Sequence, residues 1–218
     1  TEMTTQVLIT GASRGIGASL LALCRARGDR VLGTARRGGE GLATLDVRDP
    51  LSVRGLAAVW GGGPLDLLVC NAGILIDRAQ GLDEGYAPDL WAETFAVNVT
   101  GVFLTVQALL PNLRAARGRV AIVSSAMGSD TRAPGGSYAY RASKAAALNL
   151  GRNLATDLAA EGIAVGIYHP GWVRTDMGGP GADITPEVSA QGLLARFDAL
   201  TLASSGCFED YAGRAIPF

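Results

Sequence analysis

Lysine and histidine are nearly missing from this chain. Its 19 basic residues are 18 arginines and one lysine, Lys144, and the single histidine is His169. Cysteine is sparse as well, at Cys24, Cys70 and Cys207. With so few soft or imidazole ligands, none at CxxC or HExxH spacing, no metal site is expected. The formal net charge of -1 leaves no basic excess to neutralise phosphates, so nucleic acid is not an expected partner. No unbroken apolar run approaches the roughly 20 residues of a membrane span, so a membrane is not an expected partner either. The odd cysteine count, without a signal-peptide pattern, leads us to expect a reducing, cytoplasmic setting. What remains is a chain of 218 residues, 48% of them hydrophobic, enough for one filled core and one domain over residues 1–218.

Short apolar runs alternate with amphipathic stretches. The runs are Gln6–Thr10, Arg30–Thr34, Ala43–Val47, Leu65–Cys70, Arg119–Ser124 and Ala164–Tyr168, with a weaker one at Cys207–Glu209. Most are continuous rather than alternating, as strands buried on both faces require. Ile16, Leu20, Leu23 and Cys24 recur at helical spacing, with Gly28 placed to end that helix. Asp49-Pro50 and Thr185-Pro186 each read as an N-cap followed by a first-turn proline. Longer helices are predicted over Pro88–Arg117, broken near Thr100-Gly101, and over Tyr138–Ala160. This alternation predicts an α/β fold: a doubly wound parallel sheet of about seven strands with helices on both faces.

The first strand runs into Thr10-Gly11-Ala12-Ser13-Arg14-Gly15-Ile16-Gly17 and then into a helix. Glycines at such a junction let backbone approach a pyrophosphate, whose charge the helix N-terminus favours. The spacing is GxxxGxG rather than GxGxxG, and the GK[ST] ending of a P-loop is absent. NAD binders place an acidic residue about 20 residues further on, to hold ribose hydroxyls. Here the second strand ends Thr34-Ala35-Arg36-Arg37 without a carboxylate. Arg36, with Arg14 from the glycine turn, suits a 2'-phosphate through charge-assisted hydrogen bonds, so NADP(H) is expected over NAD(H). The bland alternative is a solvated basic loop in an arginine-rich chain.

Tyr140 and Lys144 lie four residues apart, on one face of the long predicted helix. A free phenol, with a pKa near about 10, is a poor base at neutral pH. An adjacent ammonium favours the phenolate and brings it toward working pH. In the reductive direction the same Tyr140 protonates a carbonyl oxygen. Ser124-Ser125 ends a strand, where either hydroxyl offers that oxygen a hydrogen bond.

These segments, taken in order, resemble the short-chain dehydrogenase/reductase family across nearly the whole chain. The motifs are Thr10–Gly17, Asp46-Val47, Asn71-Ala72-Gly73, Asn98, Ser125, Tyr140 with Lys144, and His169-Pro170-Gly171. The resemblance implies a Rossmann fold. It makes Tyr140 the general acid/base and Lys144 the partner that lowers its pKa and holds the nicotinamide ribose. Ser125 becomes the substrate-oxygen donor, and Asn98 the helix-bending residue that anchors a relay water. Gly11, Ser13, Arg14, Gly15, Ile16, Gly17 and Asn71, Ala72, Gly73 correspond to the cofactor wall, and Asp46 and Val47 to the adenine contacts. Pro170, Gly171, Val173 and Thr175 correspond to the segment beside the nicotinamide carboxamide and pyrophosphate. Two departures stand out. Arg37–Leu42 is too short for the helix usual there, and the Ser125–Tyr140 interval carries extra residues around Asp130–Gly136.

His169–Gly179 and the ending Gly206-Cys207-Phe208 with Ile216-Pro217-Phe218 resemble the carbonyl reductases grouped with sniffer and the bacterial C-factor. The expected partner is therefore a small carbonyl or alcohol compound, lined by Leu75, Ile76, Met127, Gly135, Tyr138, Trp172 and Met177. Glycines 178, 179 and 181 suggest a mobile lid or simply a loose loop. The resemblance implies a homodimer or homotetramer, paired through the helices at Val102–Arg117 and Tyr138–Ala160, although core packing also explains Leu148, Leu150 and Leu154. A Ser/His/Asp hydrolase is disfavoured because no GxSxG elbow surrounds either serine. An NADP-binding sensor or C-factor-like signalling protein is the other reading. The full set of Asn98, Ser125, Tyr140 and Lys144, which such a protein does not need, argues for turnover. The lone lysine fits that view: genome bias fills the surface with arginine, and a compact ammonium survives where a forked guanidinium would not serve.

Overall fold

Consecutive residues of the apolar runs go to opposite sides of one sheet. In the computed structural model, which describes residues 4–218, the strands are β1 (Gln6–Ile9), β2 (Arg30–Ala35), β3 (Leu42–Thr44), β4 (Leu67–Cys70), β5 (Arg119–Val123), β6 (Ala164–His169) and β7 (Phe208–Asp210). Leu8, Leu68, Val120, Ile122, Val165 and Ile167 face one apolar layer, whereas Val7, Ile9, Leu67, Val69, Ala121 and Tyr168 face the other. Both layers are buried, which is why the strands read as continuous rather than alternating.

The helices divide between the two faces. α2 (Pro50–Trp60), α4 (Gly101–Ala116) and α5 (Tyr138–Ala159) close the first layer, and α1 (Gly15–Arg27) and α6 (Pro186–Ala199) close the second. Every pairing is parallel, in the order β3-β2-β1-β4-β5-β6-β7. Strand order reverses between β1 and β4, which opens a crevice at their C-terminal ends, where ligands of such sheets bind.

The helix boundaries follow the local chemistry read from the sequence. Gly28 ends α1 at φ 88°, a left-handed conformation that costs glycine little. Asp49 accepts from Leu51 N at 2.9 Å and Thr185 from Val188 N at 3.3 Å, each before a first-turn proline. Between β2 and β3 there is a glycine turn and no helix, as the short spacing predicts. The interruption foreseen near Thr100-Gly101 is a π-helical turn, Ala96–Thr100, joining α3 (Pro88–Phe95) to α4 without breaking the rod. The weak last run forms β7, one register step later than expected.

One sequence expectation needs amending. The helical rod Pro88–Ala116 is, by length and composition, apolar enough to cross a membrane. Its apolarity goes elsewhere, because Val102, Val106, Leu109 and Leu113 are buried against the sheet.

Candidate active site

Three loops meet at the C-terminal ends of β1, β4 and β5. Thr10 fastens the first two: its Oγ1 accepts from Asn71 N and Ala72 N, both at 3.0 Å. Asn71 returns two bonds, Nδ2 donating to Thr10 O at 3.1 Å and Gly11 O at 3.0 Å. The glycine turn is packed so closely that a Cβ on Gly17 would lie 2.2 Å from Gly11 O, and one on Gly11 would lie 2.9 Å from Ala72 Cα. Arg14 occupies the N-cap of α1, and no side chain caps that helix. Its first-turn N–H groups are thus free for an anion, which the helix dipole also favours. This tight cradle and uncapped helix end fit a dinucleotide pyrophosphate.

The adenosine side is more open. Arg36 and Arg37 are exposed just past β2. The Asp46 carboxylate is held below its ordinary range by hydrogen bonds from Arg48, with Arg36 adding to the effect. Arg14, expected to share the phosphate with Arg36, instead pairs with Asp176 at 2.5 Å, both side chains largely exposed. An exposed pair of this kind is worth at most about 1 kcal/mol, so a phosphate can compete for the guanidinium. Val47 is buried against Gly101, where a Cβ would meet it at 2.8 Å.

The catalytic candidates converge on the first turns of α5. Lys144 and Tyr140 are both buried, and Nζ stands 5.6 Å from the Tyr140 ring centroid while donating to Val123 O at 3.1 Å. A Cβ at Gly73 would lie 3.4 Å from both Lys144 Nζ and Asn98 Oδ1, so all three residues surround one point. Asn98 lies inside the π turn, and its amide is fully spent. Oδ1 accepts from Ile74 N at 2.9 Å, and Nδ2 donates to Ile74 O at 2.9 Å and Ser143 Oγ at 3.0 Å. Ser125 caps the short turn Ala126–Gly128, its Oγ accepting from Met127 N at 3.1 Å. That turn lies flat on α5, since a Cβ on Gly128 would meet Lys144 C at 2.6 Å. Ser124, the alternative hydroxyl, is committed elsewhere and donates to Lys144 O at 3.2 Å.

Burial pushes the Tyr140 phenol up to about 12. The Ser125 hydroxyl and Arg78 charge oppose that rise, and Asp77 adds to it. Burial likewise brings the Lys144 ammonium down to about 8. Each group is therefore driven toward its neutral form, the phenol as proton donor and the amine on the edge of titration.

The segment after β6 brings its residues to the same end of the sheet. Pro170 O accepts from Ser189 Oγ at 2.6 Å, and Gly171 is left-handed at φ 87°. Val173 is buried and bridges to Ile184, and the Thr175 methyl would lie 3.0 Å from a Cβ on Gly15. Met177 reaches the phenol, its Sδ 4.0 Å from Tyr140 Oη, while Trp172 and Ile76 are exposed. His169 makes no hydrogen bond to either serine: its Nδ1 is buried without a partner among the described residues, and burial lowers its pKa to about 4. It lines a cavity of about 450 Å³ with Arg132, Trp172, Tyr211 and Arg214, a wall that includes neither Tyr140 nor Ser125.

Sequence reading gave no role to Thr10 within the glycine motif and missed Asp77, Arg78 and Ser143, all of which build this arrangement. Ser143 Oγ donates to Tyr140 O at 2.7 Å and so links Asn98 to the tyrosine. Asp77 Oδ2 accepts from Tyr140 N at 3.0 Å, and Arg78 donates to Met177 O at 2.6 Å. Asp77-Arg78 reads in sequence like Asp29-Arg30, an ordinary turn, and only its place after the apolar Ile74–Ile76 hints at burial.

Residues 5–183 match the short chain dehydrogenase family. The C-signal protein of Myxococcus xanthus is 44% identical over 158 residues, 72% of this chain and 94% of that protein. The 1-hydroxy-2-glutathionyl-2-methyl-3-butene dehydrogenase of Rhodococcus sp. (strain AD45) is 35% identical, covering 95% of this chain and 96% of that enzyme. Among solved structures, an NADPH-bound carbonyl reductase from chicken fatty liver superposes with TM-score 0.88 at 30% identity, covering 99% of both chains.

Proposed function

The chain belongs to the short-chain dehydrogenase/reductase family, and on that premise we propose that it is an NADP(H)-dependent oxidoreductase that reduces an aldehyde, ketone or quinone, with Tyr140 as general acid. The observation that carries this reading is the buried convergence of Tyr140, Lys144, Asn98 and Ser125 beside the glycine cradle. Such a constellation costs stability and has no structural purpose that an apolar core would not serve better.

The residues that would hold the cofactor are Gly11, Ser13, Arg14, Gly15, Ile16 and Gly17 at the pyrophosphate and Arg36 at the 2'-phosphate. Asp46 and Val47 would flank the adenine, Asn71–Gly73 the cofactor wall, Tyr140 and Lys144 the nicotinamide ribose, and Pro170, Gly171, Val173 and Thr175 the carboxamide side. When bound, the nicotinamide supplies the hydride that adds to the carbonyl carbon. Tyr140 Oη gives its proton to the carbonyl oxygen, which the Ser125 hydroxyl holds by a hydrogen bond. Lys144 stabilises the phenolate left behind. Asn98, inside the π turn, would anchor a water that returns a proton toward Lys144. Met177 lies against the phenol and supplies an apolar neighbour that helps keep bulk water from the reacting atoms. Three unpaired cysteines support a reducing, cytoplasmic setting, and Phe103, exposed on α4, supports pairing of copies through α4 and α5.

The experiment that tests this reading is consumption of NADPH and NADH with a panel of aldehydes, ketones and quinones. Reduction with an NADPH preference is expected. A second reading, an NADP-binding signalling protein with little turnover, draws on the 44% identity to C-signal. Cofactor binding without consumption of any panel member would favour it.

A further inference from the structure

The first turn of α5 is capped from outside its own sequence. Ser137, at the N-cap, is left-handed at φ 45° and makes no side-chain cap. The N–H of Tyr140, third residue of the helix, would have no partner in an isolated helix. Asp77 Oδ2 takes it at 3.0 Å, from a loop 63 residues earlier in the chain. Asp77 is fully buried and its second oxygen, Oδ1, has no hydrogen-bond partner among the described residues. A buried acid side chain with an unmet oxygen is expensive, and an asparagine would cap the same N–H as well. An acid at this point needs a reason beyond capping.

We propose that Asp77 is the positioning residue of the catalytic tyrosine, fixing the main chain of Tyr140 while setting the field at its phenol. This inference rests on the reading of Tyr140 as the general acid. The charged and titratable groups facing that phenol are few: Lys144 from α5 itself, and Asp77 and Arg78 from the loop after β4. Ser125 and Met177 bring only neutral groups. Arg78 and Asp77 push in opposite directions, and Asp77 favours the protonated phenol, the form that a reductase needs before it donates. The neighbouring Arg78 holds Met177 O at 2.6 Å, so the same loop bounds the phenol on its open side.

The test separates capping from field. Tyrosinate absorbance of the full chain is measured by ultraviolet difference, each protein minus its Tyr140→Phe counterpart, in wild-type and Asp77→Asn backgrounds without cofactor. The two are compared at the highest pH at which both remain folded. Asparagine keeps an acceptor for Tyr140 N and removes the charge, so a larger tyrosinate signal is expected in Asp77→Asn. Equal signals would overturn the field. Amide hydrogen exchange then reads the cap, with Tyr140 N–H protected in wild type and Asp77→Asn and exchanging about tenfold faster or more in Asp77→Ala. Equal protection in all three would overturn the positioning role. Should Asp77→Ala fail to fold, the titration and the exchange of Asp77→Asn, where lost protection would contradict the cap, still decide. None of these readouts needs turnover. A wild-type chain that reduces no carbonyl compound would sink the oxidoreductase reading and leave this test intact.

Discussion

Lys144 Nζ stands 5.6 Å from the centre of the Tyr140 ring, one turn along α5, and both side chains are buried. Neither placement is favourable for folding. The ammonium is stripped of water and donates to one protein acceptor, Val123 O, and the buried phenol has the Ser125 hydroxyl and Met177 Sδ as its neighbours. The pair is strained electrostatically in the free protein, and that strain makes it measurable.

The first consequence is in stability. Lys144 has a folded pKa of about 8, below its ordinary 10.5, so between these values the unfolded chain binds more protons than the folded one. Stability contributed by this residue therefore rises with pH across that window. Below pH 8 the buried charge costs on the order of 3 kcal/mol. Lys144→Met should raise the cofactor-free melting temperature at pH 7, with the advantage over wild type shrinking as pH climbs past 8. Calorimetry of both proteins from pH 7 to 10 checks the sign. A constant difference would mean that Lys144 does not titrate in that range.

Chemical labelling gives an independent readout of the same amine. With one lysine in the chain, an amine-selective reagent reports on Lys144 and the N-terminus alone. The lowered pKa leaves much of Lys144 unprotonated and nucleophilic at pH 8. Saturating NADPH is expected to slow its modification severalfold while leaving the N-terminus unaffected. Mass spectrometry after limited reaction reads both sites.

The proposed assignment of the 2'-phosphate to Arg36 predicts how cofactor choice can be changed. Arg14 is engaged with Asp176, whereas Arg36 is exposed at the end of β2 without an ion-pair partner among the described residues. Arg36→Asp removes a charge-assisted contact and sets a carboxylate against the 2'-phosphate. The NADPH-over-NADH preference should fall by about 10- to 100-fold, as expected for a charged hydrogen bond of about 1.5–3 kcal/mol. Dissociation constants for both nucleotides, measured by fluorescence, would read this without a substrate.

The glycine cradle predicts a stability loss that has no catalytic origin. A methyl on Gly17 would overlap Gly11 O at 2.2 Å and Asn71 Nδ2 at 2.6 Å. Gly17→Ala should cost about 1–3 kcal/mol in urea unfolding and weaken dinucleotide binding. A substitution at Gly135, which has open space around it, should spare binding despite its positive φ.

Much of this architecture was legible because it is written in local signals. Buried parallel strands leave continuous apolar runs, caps leave Asp-Pro and Thr-Pro, and Tyr140 with Lys144 leaves a four-residue spacing. The π turn was visible only as an interruption near Thr100, since nothing in Ala96–Thr100 distinguishes an extra residue per turn from a break. Asp77 and Ser143 were not legible, because their roles come from contacts 63 and 45 residues distant. The partner of Arg14 was hidden for the same reason, Asp176 lying 162 residues further on. Sequence spacing reports what one element presents, and it is silent on which loop of a doubly wound sheet will come to lie beside it.

The account stands most directly on the proton of Tyr140. The decisive measurement pairs NADPH affinity, by fluorescence, with single-turnover reduction of whichever panel carbonyl the wild type consumes, in wild type and Tyr140→Phe. Removal of the phenolic hydroxyl leaves the ring between Lys144 and Met177, so NADPH should bind within a fewfold of wild type while reduction slows by about 100-fold or more. Reduction at the wild-type rate by Tyr140→Phe, with NADPH bound, would contradict the account.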